Sequence, residues 1–206
     1  MKPLFAGTGR KVLLSLAALG VAGALAGMGT FATFTATTSA SQSVSSGTVV
    51  IALGNTGAST NRLTVNATGL VPNDTIQRSF DLSNTGSQDL ASIALTTTAS
   101  PSSLLDTDAT NGLQMVIDRC SVAWTESGSS PAFSYSCSGS TTTIVTSRAV
   151  IQTSLSMAGL SALTAAGSDH LRLTLTFPST AGATFQGLSS TLTYSFLGTQ
   201  RNGSAH

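Results

Sequence analysis

Toward its C-terminal end the chain reads His170-Leu171-Arg172-Leu173-Thr174-Leu175-Thr176-Phe177, with an apolar side chain on every second residue. Leu192-Thr193-Tyr194-Ser195-Phe196 repeats the pattern. Period two belongs to an extended strand with one buried and one wet face; on a helix the same residues would scatter around the circumference. Pro178 ends the first of these strands, because it has no N–H for the ladder. Six further segments carry strand-forming Thr, Val and Ile: 48–53, 63–67, 75–82, 91–97, 113–117 and 143–151. Turn signals at Gly54-Asn55-Thr56-Gly57, Val71-Pro72-Asn73-Asp74 and Asn84-Thr85-Gly86 separate the earlier ones. Eight or nine short strands at such spacing predict an all-β, antiparallel, jelly-roll-like sandwich. One short helix is expected over 154–166, where Leu155, Leu160 and Leu163 are loosely periodic, although Gly159 weakens it.

Arg78 interrupts this scheme by sharing a face with Ile76, Phe80 and Leu82. A place at the sheet margin, with the guanidinium in water, is the expectation. Burial beside Asp81 or Asp89 is the second choice.

The other end of the chain is of a different kind. Gly9-Arg10-Lys11 precedes an apolar run from Val12 to Met28 and a small-residue exit, the layout of a secretory signal peptide. A retained membrane anchor is the competing reading, but the run is at the lower limit for crossing about 30 Å of hydrocarbon, and Gly20, Gly23 and Gly27 lower its hydrophobicity. Cleavage is expected between residues 32 and 40, with Ala32, Thr33 and Ala40 as candidate positions. The chain then divides into a signal helix (1–33), an extended polar segment (34–46), a sandwich domain (47–201) and a short tail (202–206). An exported protein, extracellular or at the cell surface, follows.

Processing removes Lys2, Arg10 and Lys11, so nine cations become six against eight acids, a net charge of −2. A mature chain without lysine and with dispersed arginines is poorly suited to nucleic acid or to an anionic membrane surface. Cys120 and Cys137 are the only cysteines. In an exported chain such a pair reads as a disulfide, closing a loop whose entropy contributes about 3 kcal/mol.

Catalytic patterns are sparse. The two histidines, His170 and His206, make no His-Glu-x-x-His pair, and no Gly-x-Ser-x-Gly elbow occurs. His170 reads as an ordinary strand-end residue. Asp106-Thr107-Asp108-Ala109-Thr110-Asn111-Gly112 begins like a calcium loop, but Asn111 stands at the position needing glycine and Ile117 at the position needing the bidentate acid. A solvated turn is the better reading, and calcium at Asp106 and Asp108 stays an open question. Three matches to the N-glycosylation pattern, at Asn66, Asn73 and Asn202, are of the number chance provides in a Ser/Thr-rich chain. No cofactor, metal or catalytic residue is assigned, and the chain is not expected to be an enzyme.

Gly29-Thr30-Phe31-Ala32-Thr33-Phe34, followed by Ser45-Ser46-Gly47-Thr48-Val49, resembles the start of TasA/camelysin-type proteins, where a Gly-Thr-aromatic exit leads into a polar stretch and a first strand. Leu70-Val71-Pro72-Asn73-Asp74 and Leu82-Ser83-Asn84-Thr85-Gly86-Ser87 are similar to that family's turns on either side of one strand, with Asn73 in place of the usual glycine. Cys120-Ser121-Val122-Ala123-Trp124, Tyr135-Ser136-Cys137 and the stretch 196–201 resemble its actinobacterial branch. The resemblance implies a jelly-roll-like sandwich, processing by a dedicated SipW-like signal peptidase, and a role in extracellular matrix or biofilm fibres. The metalloprotease label of camelysins does not carry over without a zinc-ligand pattern.

Physics adds a mechanism for assembly. Exposed sheet edges are normally guarded by lysine, proline or bulges, and the mature chain has no lysine. The β-competent segment 34–46 is therefore expected to add to the open edge of a neighbouring copy, with Phe34 and Val44 filling apolar gaps. The product would be a homopolymer, with other matrix proteins as further partners. The same segment could instead be a free tail or the domain's own first strand. A monomeric surface adhesion or binding module of this fold is the alternative function, and a secreted camelysin-like metalloprotease the third.

Overall fold

In a computed structural model, residues 47–203 are described, and the side chains of 65–68 within them are not. The expected signal segment, the cleavage candidates Ala32, Thr33 and Ala40, and the segment 34–46 with Phe34 and Val44 lie outside the described residues.

Two antiparallel sheets face each other across one apolar core. The strands are β1 (Ile51–Leu53), β2 (Val65–Thr68), β3 (Thr75–Asn84), β4 (Leu90–Ala99), β5 (Gln114–Cys120), β6 (Thr125–Ser129), β7 (Ala132–Ser136), β8 (Thr141–Ala149), β9 (Gln152–Ser156), β10 (Ser168–Thr176) and β11 (Ser189–Gln200). One sheet has the order β1-β3-β10-β5-β8, the other β2-β11-β4-β9, and β6 and β7 form a separate hairpin. Sequence neighbours are mostly not sheet neighbours, as in Greek-key and jelly-roll sandwiches. All eight expected strand segments are present as strands.

Alternation decides which side chains make the core. On β10, Leu171, Leu173 and Leu175 are buried between the sheets, while His170, Arg172 and Thr174 face the other way. Phe80 and Leu82 of β3, Ile93 and Leu95 of β4, and Met115 and Ile117 of β5 complete the same layer. Full burial of each contributes about 1.5–3 kcal/mol. Phe80 packs on Phe196 across the gap at 5.4 Å between ring centroids. Gly198 of β11 is backed by the Ile51 side chain, which lies where a Cβ would have to go.

The expected helix over 154–166 is absent. Residues 152–156 instead form β9 beside β4, and Ser161–Leu163 make a single 3-10 turn. Ser154 and Gly159 both take positive φ, which breaks a helix at two points, so the leucine spacing there comes from a strand followed by a turn. Among the described residues one short α-helix, α1 (Leu104–Thr107), arises in the acidic segment. Ser103 caps it, and Asp106 reaches back to the Ser103 N–H in a reciprocal capping box. The segment is therefore not a uniformly solvated turn: Asp106 is buried, Asp108 is half-buried, and Ala109 and Thr110 are exposed.

Candidate functional site

The β6–β7 hairpin, whose one alternation in the sequence is Phe133 and Tyr135 on β7, lies over the outer face of the five-stranded sheet. The Cys120–Cys137 disulfide ties it there. Trp124 donates from Nε1 to the His170 carbonyl at 3.1 Å, and the Arg172 guanidinium stacks on its ring at 4.4 Å. Arg172 is also paired with Asp118 at 2.8 Å. The Tyr135 N–H donates to the Gln77 side chain, and the Tyr135 hydroxyl to Glu126 at 2.8 Å. A cationic and aromatic outer face is thus covered by a strap that supplies the opposing aromatics and one acid.

At the tip of this strap is a pocket of about 320 Å³, lined by Thr56, Asn61, Arg62, Thr64, Arg78, Ser130 and Phe133 among others. Arg62 forms a forked pair with Glu126, Nε to Oε2 at 3.0 Å and NH2 to Oε1 at 2.8 Å, and also bonds the Gly57 carbonyl. The hydrogen bonds that Arg62 donates to Glu126 hold its guanidinium above the usual range, and by accepting them, with Tyr135 assisting, Glu126 is held below its own. Both guanidinium groups lie against Phe133, at 4.6 Å for Arg62 and 5.4 Å for Arg78.

Arg78 departs from both sequence expectations. It is only 7% exposed, so its head is not in water, and neither Asp81 nor Asp89 pairs with it. Its hydrogen bonds go to the carbonyls of Gln77 at 2.7 Å and Pro131 at 3.1 Å. Burial pulls its pKa down, and the neighbouring Arg62 charge adds to the effect. The strap, invisible to pattern reading, is what closes over the sheet margin and removes the water.

Other titratable groups make smaller arrangements. His170 Nδ1 lies 2.7 Å from Asp81 Oδ1 on the outer face. Asp169 points the opposite way, taking the N–H groups of Ser161 and Ala162 and the guanidinium of Arg119. Asp108 accepts from the N–H groups of Thr110 and Asn111, which keep it below the usual carboxylate range.

The second candidate is a sheet edge. β11 pairs with β4 along Leu192–Gln200, but β2 covers its other side only over Ser189–Leu192. Among the described residues no strand is paired to β11 on that side from Thr193 to Gln200. Leu197, in the middle of this stretch, is 65% exposed. The first strand, β1, is only three residues long and pairs with β3 instead.

A disulfide-braced antiparallel sandwich with a strapped outer face and a partly open edge strand is the class of domain these features define. Residues 8–205 match the family described as camelysin metallo-endopeptidase, and the chain belongs to this camelysin/TasA family. No curated protein matches it closely enough to count as a relative.

A metal site in the sense of that description needs three or more converging donors. Among the described residues no such group of His, Cys, Asp and Glu exists. Donors on β3 and β10 are otherwise engaged: Asp81 with His170, and both Asp169 oxygens with N–H groups. The cysteines are consumed in the disulfide. The described residues do not fit a peptidase zinc centre.

Proposed function

We propose that this protein is an exported, non-catalytic structural subunit that builds extracellular matrix or biofilm fibres by strand donation between copies. The open side of β11 carries the reading. Eight consecutive residues, Thr193–Gln200, offer backbone donors and acceptors beside a single neighbour. At about 3.3 Å per residue, segment 34–46 of a second copy is long enough to span them. Strand addition takes its affinity from main-chain hydrogen bonds and its register from alternate side chains. Phe34 and Val44 are the bulky apolar residues that the segment would bring to exposed Leu197 on this edge. The leader, read as a signal peptide, delivers the chain outside the cell after cleavage by a SipW-like peptidase, and other matrix proteins can join the polymer.

Deletion of residues 34–46 tests the mechanism. Filaments seen by electron microscopy, together with a concentration-dependent high-mass species in size-exclusion chromatography, are expected from the intact mature protein and not from the deletion variant. Undiminished filament growth by the variant would exclude strand donation. A monodisperse intact protein at high concentration would favour the surface binding module instead.

A further inference from the structure

The pocket at the tip of the β6–β7 strap holds a buried cation, Arg78, that no acidic side chain pairs with directly; Glu126, the carboxylate whose charge reaches it, is taken up in the forked pair with Arg62. The chain has eight acidic side chains, Asp74, Asp81, Asp89, Asp106, Asp108, Asp118, Glu126 and Asp169, and all lie within the described residues. Each is engaged elsewhere. Asp81, Asp118, Glu126 and Asp169 pair with His170, Arg172, Arg62 and Arg119. Asp74, Asp89, Asp106 and Asp108 accept backbone N–H groups of Val71, Ala165, Ser103 and Thr110. Residues 1–46 contain no Asp or Glu, so neither this chain's N-terminal segment nor one donated by a second copy can neutralise Arg78. Buried guanidinium groups are ordinarily matched by an anion, since an unpaired buried charge is costly. Two neutral carbonyls and the face of Phe133 hold Arg78 in place.

We infer that this pocket binds a carboxylate-bearing saccharide, a uronate, with Arg78 as the carboxylate anchor. The lining favours a sugar acid. The hydroxyl-bearing residues Thr56, Thr64 and Ser130 are among its lining, as are Phe133 and Arg62, which stack on each other. A guanidinium keeps further N–H donors beyond the two used here, and one such cation among hydroxyl-bearing residues matches a pyranose with a single acid group. A volume of about 320 Å³ accommodates a single sugar ring rather than a folded partner. The site borders the β11 edge, since Thr64 precedes Val65, the partner of Leu192, but its occupancy is read without polymerisation.

Titration calorimetry of the full-length protein tests it, with an oligogalacturonate, its methyl ester and polyglutamate as probes. The free acid is expected to bind, at least tenfold more weakly in Arg78→Gln, while the methyl ester does not bind. Thr64→Glu, at the exposed rim, supplies the missing carboxylate from the protein itself. It is expected to abolish uronate binding and raise Tm, so the test survives a misfolded Arg78 variant. No uronate binding at millimolar concentration, equal binding of the ester, or unchanged binding by Thr64→Glu would overturn the site. Binding of polyglutamate alone would overturn the saccharide assignment.

Discussion

Asp106 shows how much a single residue's environment can hide from a sequence. Its neighbours Thr107, Asp108 and Asn111 suggest a wet acidic turn, yet its side chain is buried under the β11 end of the sandwich. Burial alone would raise its pKa; hydrogen bonds from Ser102 at 2.6 Å, Ser190 at 2.5 Å and the Ser103 N–H at 2.7 Å outweigh burial and hold it below the usual 3.8. A signal was present, because Ser103-x-x-Asp106 is the spacing of a capping box. A group with a depressed folded pKa stabilises the fold above its unfolded value, and that contribution disappears as pH falls through the lower folded value. Asp106→Ala is therefore expected to cost about 2 kcal/mol at pH 7, read by urea denaturation, and markedly less near pH 2. A penalty equal at both values would mean that the carboxylate charge plays no part. Arg78 was unreadable for a different reason: alternation placed it on the inner face, but the atoms that bury it belong to the strap near Pro131, more than 50 residues away in sequence.

Among the elements, the long strands were legible because they bury one face. β3, β4, β10 and β11 alternate apolar and polar residues, and sequence periodicity is sensitive to little else. β6 and β7 were not, since Thr125–Ser129 is almost wholly exposed and β7 contributes only Phe133 and Tyr135 as large apolar groups. Their attachment rests on side-chain pairs and on the disulfide rather than on a buried stripe. The disulfide spans a sequence separation of 17, which gives about 3 kcal/mol by loop entropy. Cys120→Ser/Cys137→Ser is expected to lose about that much in chemical denaturation. The loss should also be local: amide exchange in β6 and β7 accelerates while β10 and β3 stay protected. Uniform acceleration across all strands would show instead that the strap holds the sandwich together. The mistaken helix over 154–166 has the same origin as the missed hairpin, because three leucines spread over a strand and a turn imitate a helical repeat that the positive φ values of Ser154 and Gly159 forbid.

For the molecule as a whole, the two-sheet architecture followed from pattern and turn spacing, whereas the pairing order that leaves β11 partly bare among the described residues did not, because pattern says nothing about which strands become neighbours. That edge can be guarded artificially. Thr193→Lys with Ser195→Lys places charges at exposed positions of β11, as natural edge strands do. Surface changes of this kind move stability by at most about 0.5 kcal/mol, so Tm is expected to hold while the critical concentration for filament growth, followed by light scattering, rises severalfold. Growth unaffected by both lysines would place the acceptor edge elsewhere. The strap over the five-stranded sheet has a consequence of another kind. With Trp124, Tyr135 and the hairpin backbone standing on that sheet, its broad side is too uneven to lie flat against the same side of another copy. Lateral stacking of the cross-β type, which drives amyloid into thick bundles, is denied there. Any polymer this chain forms along its seam is kept slender by a dozen residues tied down by one covalent stitch.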